Sequence, residues 1–302
     1  MDQTVVRALE DAMARLAAVT DVPHSDAAEL VSRLLGVGRG ELRALRERVL
    51  SPEESQRLEA WLARRLSGEP VQYVTGRAAF RDLDLVVDRR ALIPRPETEG
   101  LVEAVLEVLA DERASWPRPR LLDLGTGSGA IALALASEWP AAAVTATDAS
   151  DAALALARAN AQALGLEARV TFAEGDWFGA VASDERFEVV VANPPYVAPG
   201  EAAALETEVR DWEPHSALFS GDDGRAALRA IVDEAPRHLV AGGLLALELA
   251  EARAGEIAGW LEGAHDWTAV ELRDDLAGRP RVLLARRERG PAIAPAQWSE
   301  ER

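Results

Sequence analysis

Asn193-Pro194-Pro195-Tyr196 is the stretch in which residue types and order point to the most specific chemistry. A planar amide nitrogen is a poor nucleophile because its lone pair is delocalised. Alkylating it depends more on holding it in line with an electrophile than on a strong base. The Asn193 side-chain oxygen and the Pro194 carbonyl can accept the two N–H hydrogens of such an amide, leaving the lone pair aimed at the electrophile. As acceptors they also favour the positive charge that develops on nitrogen. The two prolines fix φ and stiffen the loop, and Tyr196 can pack on a flat substrate group. A rigid turn without chemistry, which Asn-Pro commonly makes, is the plain alternative.

A second stretch indicates the electrophile. Asp123-Leu124-Gly125-Thr126-Gly127-Ser128-Gly129 follows a strand-like run and leads into the apolar helical pattern from Ile131 to Ala136. Glycines let a ligand approach the backbone, and a helix N-terminus offers free N–H groups to an anion. A dinucleotide site would space its glycines Gly-x-Gly-x-x-Gly. Here the spacing is Gly-x-Gly-x-Gly, which favours the methionine carboxylate of S-adenosylmethionine, and a tight turn with no ligand is the alternative. Gly125, Thr126, Gly127, Ser128 and Gly129 are the candidate contacts. Asp148 ends the next strand-like run, where an acid reads a ribose hydroxyl pair; its other reading is a helix N-cap, for which Ser150 and Asp151 compete. Asp176-Trp177 follows a third run and could bond the adenine amine and cover its face. Three such features at the ends of successive strands are what a ligand at a switch point needs.

The elements that must hold these residues can be read from periodicity. From Arg120 onward, apolar runs at 121–124, 144–147, 170–172, 189–191 and 244–249 alternate with helical patterns, which implies an α/β domain with a mostly parallel sheet. A last pair, 270–272 and 282–284 across a turn containing Gly278, adds an antiparallel edge. Before this domain, Val5, Leu9, Met13 and Leu16 recur at helical spacing, as do Leu30, Leu34 and Leu35. Ser51-Pro52-Glu53-Glu54 has the form of a capping box opening a helix that ends near Gly68. A possible strand at 71–74, with Leu83, Leu85 and Val87 alternating after it, suggests a β-hairpin linker. The partition is residues 1–70 as a small helical bundle, 71–92 as the hairpin linker, 93–287 as the α/β domain and 288–302 as a loose tail.

Composition sets bounds on the function. Of 302 residues, 51 are acidic and 33 basic, and the net charge of −18 disfavours nonspecific binding to nucleic acid phosphates. There is no cysteine, so disulfides, thiolate catalysis and cysteine-based zinc sites are excluded. His24, His215, His238 and His265 show no metal-ligand spacing and read as solvated or capping residues, so no metal is expected. The N-terminus lacks a basic region leading into an apolar run, and no uninterrupted apolar stretch is long enough to cross a bilayer. A cytoplasmic monomer without a membrane partner is the expectation.

With these residues in hand, the chain resembles, over nearly its whole length, the bacterial peptide chain release factor glutamine methyltransferases, also called the HemK or PrmC family. The marks are Leu92-Ile93-Pro94-Arg95-Pro96-Glu97-Thr98-Glu99, the glycine loop, Asp176-Trp177-Phe178, Asn193 to Tyr196, and Asp275-Leu276-Ala277-Gly278-Arg279. The resemblance implies a Rossmann-like class I methyltransferase domain behind a helical domain and a hairpin. It implies S-adenosylmethionine as methyl donor, S-adenosylhomocysteine as product, and the Gly-Gly-Gln glutamine of class I release factors as substrate, with the helical bundle docking the factor. It places Gly125, Gly127, Gly129, Asp148, Trp177 and Asn193 at the cofactor and Asn193 to Tyr196 at the substrate. Pro94, Arg95 and Glu97 are expected at the substrate rim, with Phe80 near it. At Glu248-Leu249-Ala250-Glu251 the chain departs from the family's pattern, and Ala79 to Asp82 matches it weakly. The rival readings are an adenine-specific DNA or RNA methyltransferase, a ribosomal-protein glutamine methyltransferase and a catalytically silent binding module.

Overall fold

The computed structural model describes residues 3–288, so all but the first residue of the expected 288–302 tail lies outside the described residues. Four helices open the chain: α1 (Val5–Leu16), α2 (Pro23–Leu35), α3 (Pro52–Leu66) and the short α4 (Val71–Thr75). In α1 the buried row is Val5, Ala8, Ala12 and Leu16, whereas Met13, which helical spacing groups with Val5 and Leu16, is 38% exposed. The small alanines let α2 close on this row, and that close approach outweighs the larger apolar side chains beside it. The start of α3 carries the expected capping box. Ser51 Oγ accepts from the Glu54 N–H at 3.1 Å and Glu54 Oε2 accepts from the Ser51 N–H at 2.8 Å, so two otherwise orphaned donors are satisfied.

The possible strand at 71–74 is corrected to helix. Pro70 precedes it, Gly76 at φ 72° ends it, and Val71 and Val74, one turn apart, share the core of the helical unit. The hairpin starts after that glycine, with β1 (Arg77–Phe80) antiparallel to β2 (Leu83–Val86). Leu83, Leu85 and Val87 alternate inward as expected. Two side chains fix the hairpin to the rest of the molecule. Arg81, at the turn, pairs with Glu138 and with Glu103 at 2.7 Å, and Asn160 bonds both the N–H and the carbonyl of Val86.

The remaining elements, in order, are α5 (Pro96–Asp111), β3 (Arg120–Leu124), α6 (Ala130–Glu138), β4 (Ala143–Asp148), α7 (Asp151–Ala163), β5 (Val170–Glu174), β6 (Phe187–Ala192), α8 (Thr207–Trp212), α9 (Ala226–His238), β7 (Leu239–Glu248), α10 (Glu251–Glu262), β8 (Trp267–Asp274) and β9 (Pro280–Arg287). They build one seven-stranded sheet in the order β5-β4-β3-β6-β7-β9-β8, parallel from β5 to β7 and antiparallel where β9 joins β7 and β8. Both faces are covered, which is why Val189 to Ala192 of β6 and Leu244 to Leu247 of β7 read as unbroken apolar runs. Leu121, Val189, Val191 and Ala246 face the core shared with α5 and α6, and Leu122, Val190, Leu245 and Leu247 face that shared with α9 and α10. This period-two partition gives three layers. Among the described residues, no helix is long and apolar enough to cross a membrane.

Candidate active site

The chain leaves β3 toward β4 on one side and leaves β6 toward β7 on the other, so the carboxyl ends of β3 and β6 open a cleft between diverging connections. The loop after β3 forms its floor. Gly125 and Gly127 have φ of 69° and 57°, which a side chain rarely tolerates, and present bare backbone to the cleft. Asp123 anchors the loop from below. Its Oδ2 accepts from the Thr126 hydroxyl at 2.6 Å and from the Ala132 N–H at 3.2 Å. Complete burial pushes its carboxyl up to about 7 despite those hydrogen bonds.

At the end of β4, Asp148 joins the same loop. Its Oδ2 accepts from the Gly127 N–H and its Oδ1 from the Ser150 N–H, both at 2.9 Å. Ser150 caps α7, accepting from the Ala153 N–H at 3.2 Å, so Asp148 is not the cap. After β5, Trp177 has φ 45°, uncommon for a large residue, and such outliers cluster at functional sites. Phe178 is buried, stacked on His238 with ring centroids 4.7 Å apart, while Trp177 turns toward the cleft. His238, expected to be solvated or capping, is thus a core residue.

A cavity of about 300 Å³ is lined by Gly125, Thr126, Gly127, Ser128, Asp148, Asp176 and Trp177, with Asn193, Pro195, Pro94 and Arg95 completing its wall. A second, of about 470 Å³, is lined by Glu97, Pro194, Pro195, Tyr196, Glu248 and Arg281. Asn193, Pro195, Leu92, Arg95 and Ala217 border both. Asn193 thus faces a space floored by the glycine loop and a space walled by its own prolines and tyrosine. Arg95 is held at this border by Glu213 at 2.5 Å, and burial raises the Glu213 carboxyl against the pull of Arg95. Glu97 lies 3.6 Å from Arg279 of the β8–β9 turn.

Two expected contacts are elsewhere. Gly129 lines neither cavity. With φ at 86°, it is where α6 begins, and a Cβ there would meet Leu133 at 3.0 Å and Ala157 at 3.2 Å, so the third glycine serves helix packing. Phe80 is fully buried in the core with Ile93, Leu101 and Val105, because β1 alternates and Phe80 falls on its inner face. It supports the hairpin and does not form a substrate rim.

Three residues central to the geometry were not read as such from sequence. Asn193 Nδ2 donates to Thr98 Oγ1 at 3.1 Å, and the Thr98 hydroxyl donates to Glu248 Oε2 at 2.6 Å. Both partners are buried. Burial pushes the Glu248 carboxyl up to about 7, opposed by the Thr98 hydrogen bond and by Arg281. Thr98 lies within the Leu92 to Glu99 stretch, and Glu248 ends β7 as Asp148 ends β4; that strand-end position was the available signal. Asn160, also buried, donates to the Ser128 carbonyl while holding Val86, and so ties the glycine loop to the hairpin.

Two family models match the chain, the PrmC N-terminal domain over residues 7–76 and the methyltransferase small domain over residues 102–209. A release factor glutamine methyltransferase of Rhodospirillum rubrum is 41% identical over 273 residues, covering 90% of this chain and 82% of that one. One of Cereibacter sphaeroides is 44% identical over 280 residues, covering 92% and 97%. Among solved structures, the hMettl16 catalytic domain, in complex with MAT2A 3′UTR hairpin 6, shares the fold, with a TM-score of 0.55 at 14% identity over 83% of this chain and 87% of that one. Near-complete matches at this identity, both to proteins of one name, leave no ambiguity of membership: the chain belongs to the release factor glutamine methyltransferase family.

Proposed function

We propose that this chain transfers a methyl group from S-adenosylmethionine to the side-chain amide nitrogen of the glutamine in the Gly-Gly-Gln motif of class I peptide chain release factors. The observation that carries the reading is Asn193 at the border of two cavities, one floored by the glycine loop and one walled by Pro194, Pro195 and Tyr196. The first cavity suits the methyl donor. A Cβ at Gly125 would lie 3.6 Å from the Trp177 ring and one at Gly127 3.7 Å from Ala91, so side chains there would fill the cradle. In this reading Asp148 bonds the ribose hydroxyl pair, Trp177 covers the adenine face and Asp176 bonds its amine, and all three line the first cavity.

When bound, S-adenosylmethionine supplies a sulfonium-activated methyl group, whose C–S pair stays on sulfur as the amide nitrogen's pair forms the new N–C bond. The protein's part is positional. Asn193 Oδ1 and the Pro194 carbonyl accept the two amide N–H groups, one of whose protons leaves to solvent after transfer, and Tyr196 packs on the planar group. The rigid prolines hold these acceptors without reorganisation.

The release-factor substrate is supported by the names of the two relatives and by matches that run through both the helical and the α/β parts. In this reading residues 1–70 dock the body of the factor, 71–92 link, and 93–287 catalyse. In this reading the chain works as a monomer, with both cavities its own, and its net charge of −18 opposes a nucleic acid substrate. The test is incubation with labelled S-adenosylmethionine and a class I release factor, beside the same factor with its Gly-Gly-Gln glutamine changed to alanine. Label on the first alone is expected. Label on both moves the site elsewhere, and label on duplex DNA or RNA instead moves the reading to a nucleic acid methyltransferase.

A further inference from the structure

We infer that Thr98 and Glu248 are positioning residues that set which way round the Asn193 side-chain amide faces the substrate, an inference that rests on the methyl-transfer reading above. The two ends of an asparagine amide are nearly the same in shape, yet only the oxygen can accept a substrate N–H. Shape alone does not choose between the orientations; hydrogen bonding does. Asn193 Nδ2 donates to Thr98 Oγ1 at 3.1 Å, and the one hydroxyl proton of Thr98 goes to Glu248 Oε2 at 2.6 Å. A carboxylate can only accept. With Glu248 ionised, Thr98 has no proton to give Asn193 and can only accept from it, which leaves Oδ1 for the cavity. With Glu248 protonated, the acid can donate to Thr98, whose own proton is then free for Asn193 Oδ1. The amide can turn over and present its NH₂ to a substrate N–H, donor against donor.

The relay is built rigidly. Thr98 sits in the first turn of α5, its N–H bonded to the Arg95 carbonyl at 3.1 Å, and Glu248 ends β7; they are 4% and 2% exposed. Around Glu248, Arg281 on β9 and Arg95 before α5 favour the carboxylate, and Glu97 on α5 opposes it. The Tyr196 hydroxyl, raised by burial and by Glu248 itself, stays neutral. The balance puts the change of state at about pH 7, with the productive orientation locked above it and released below.

The experiment is steady-state methylation of a class I release factor between about pH 6 and about pH 8, with cofactor affinity measured by calorimetry on the same proteins. For wild type, kcat is expected to rise about tenfold over that range, as one ionisation centred near 7 requires. Glu248→Gln, which both donates and accepts, loses the lock: kcat at about pH 8 falls about tenfold, the pH limb disappears, and KM and cofactor affinity stay within about twofold. Thr98→Val shows the same kcat loss, and Thr98→Ser restores it. Thermal unfolding of each variant separates lost fold from lost orientation, and the wild-type profile needs no variant at all. Labelled release factor with a flat wild-type profile, or with Glu248→Gln and Thr98→Val matching wild type, overturns the relay alone. Wild type that leaves the factor unlabelled at every pH overturns the methyl-transfer reading and the relay with it.

Discussion

Asn193 has one nitrogen proton committed to Thr98 and borders both cavities. On the proposed mechanism, replacing it with alanine removes an acceptor used at the transition state and leaves the glycine loop intact. We therefore expect Asn193→Ala to lower kcat by about 10²–10³ while cofactor affinity moves less than about threefold, read from the labelling assay and calorimetry. Near-normal turnover would remove Asn193 from the chemistry. Asp148→Ala should show the opposite split. Loss of charge-assisted hydrogen bonds, about 1.5–3 kcal/mol, weakens cofactor binding about tenfold to a hundredfold, and unchanged affinity would leave Asp148 only its bonds to Gly127 and Ser150. Asn193, Asp148 and Trp177 were legible in the sequence because each follows an apolar run that could only be a strand. The parts of Thr98 and Glu248 were not: Glu248 also ends an apolar run, but the hydrogen bonds that tie it and Thr98 to Asn193 join positions 95 and 150 residues apart. Phe80 and Gly129 have the right residue types but serve packing, a difference set by which face of β1 turns inward and by how close α7 comes.

At the scale of elements, the loop after β3 is held by a carboxyl group that burial pushes up to about 7. An aspartate in an unfolded chain titrates near 4, whereas Asp123 in the fold titrates at about 7. Between those values the folded protein holds a proton that the unfolded chain has released, so its contribution to stability falls as pH rises from about 4 to about 7 and is flat above. Glu248 adds a slope of the same sign. Asp123→Asn should therefore flatten part of the stability loss between about pH 4 and about pH 7 in urea unfolding; an unchanged slope would mean that Asp123 is ionised throughout that range. At α3, Ser51→Ala removes one half of the capping box and should cost about 1 kcal/mol by the same measurement, and no change would make the cap incidental. The strands and the α3 start were legible because apolar runs and capping chemistry are local. The stretch 71–74 was misread because two valines suit a strand, while Pro70 and the left-handed Gly76 allow one helical turn that buries both.

Across the whole molecule, one buried arginine joins the helical unit to the catalytic one. Arg65 of α3, 1% exposed, bonds Asp26 of α2 at 2.7 Å and Glu208 of α8 at 2.5 Å, and the same stretch of chain, through Glu206 and Val209, walls the second cavity. Arg65→Ala leaves Asp26 buried without its cation and should cost about 3–5 kcal/mol, read by denaturant unfolding. A loss of less than about 1 kcal/mol would show that the joint carries little. The two-part layout and the acidic balance were visible in the sequence, but this joint was not, since one arginine among 33 basic residues has no mark of burial until the units are folded together. The proposed reaction ends on one atom, the side-chain nitrogen of a glutamine. Tandem mass spectrometry of a class I release factor after incubation with the wild-type protein and S-adenosylmethionine tests it most directly. One methyl group on the Gly-Gly-Gln glutamine side-chain nitrogen, formed far more slowly with Asn193→Ala, is the predicted result; a methyl group on any other residue, or none, would contradict it.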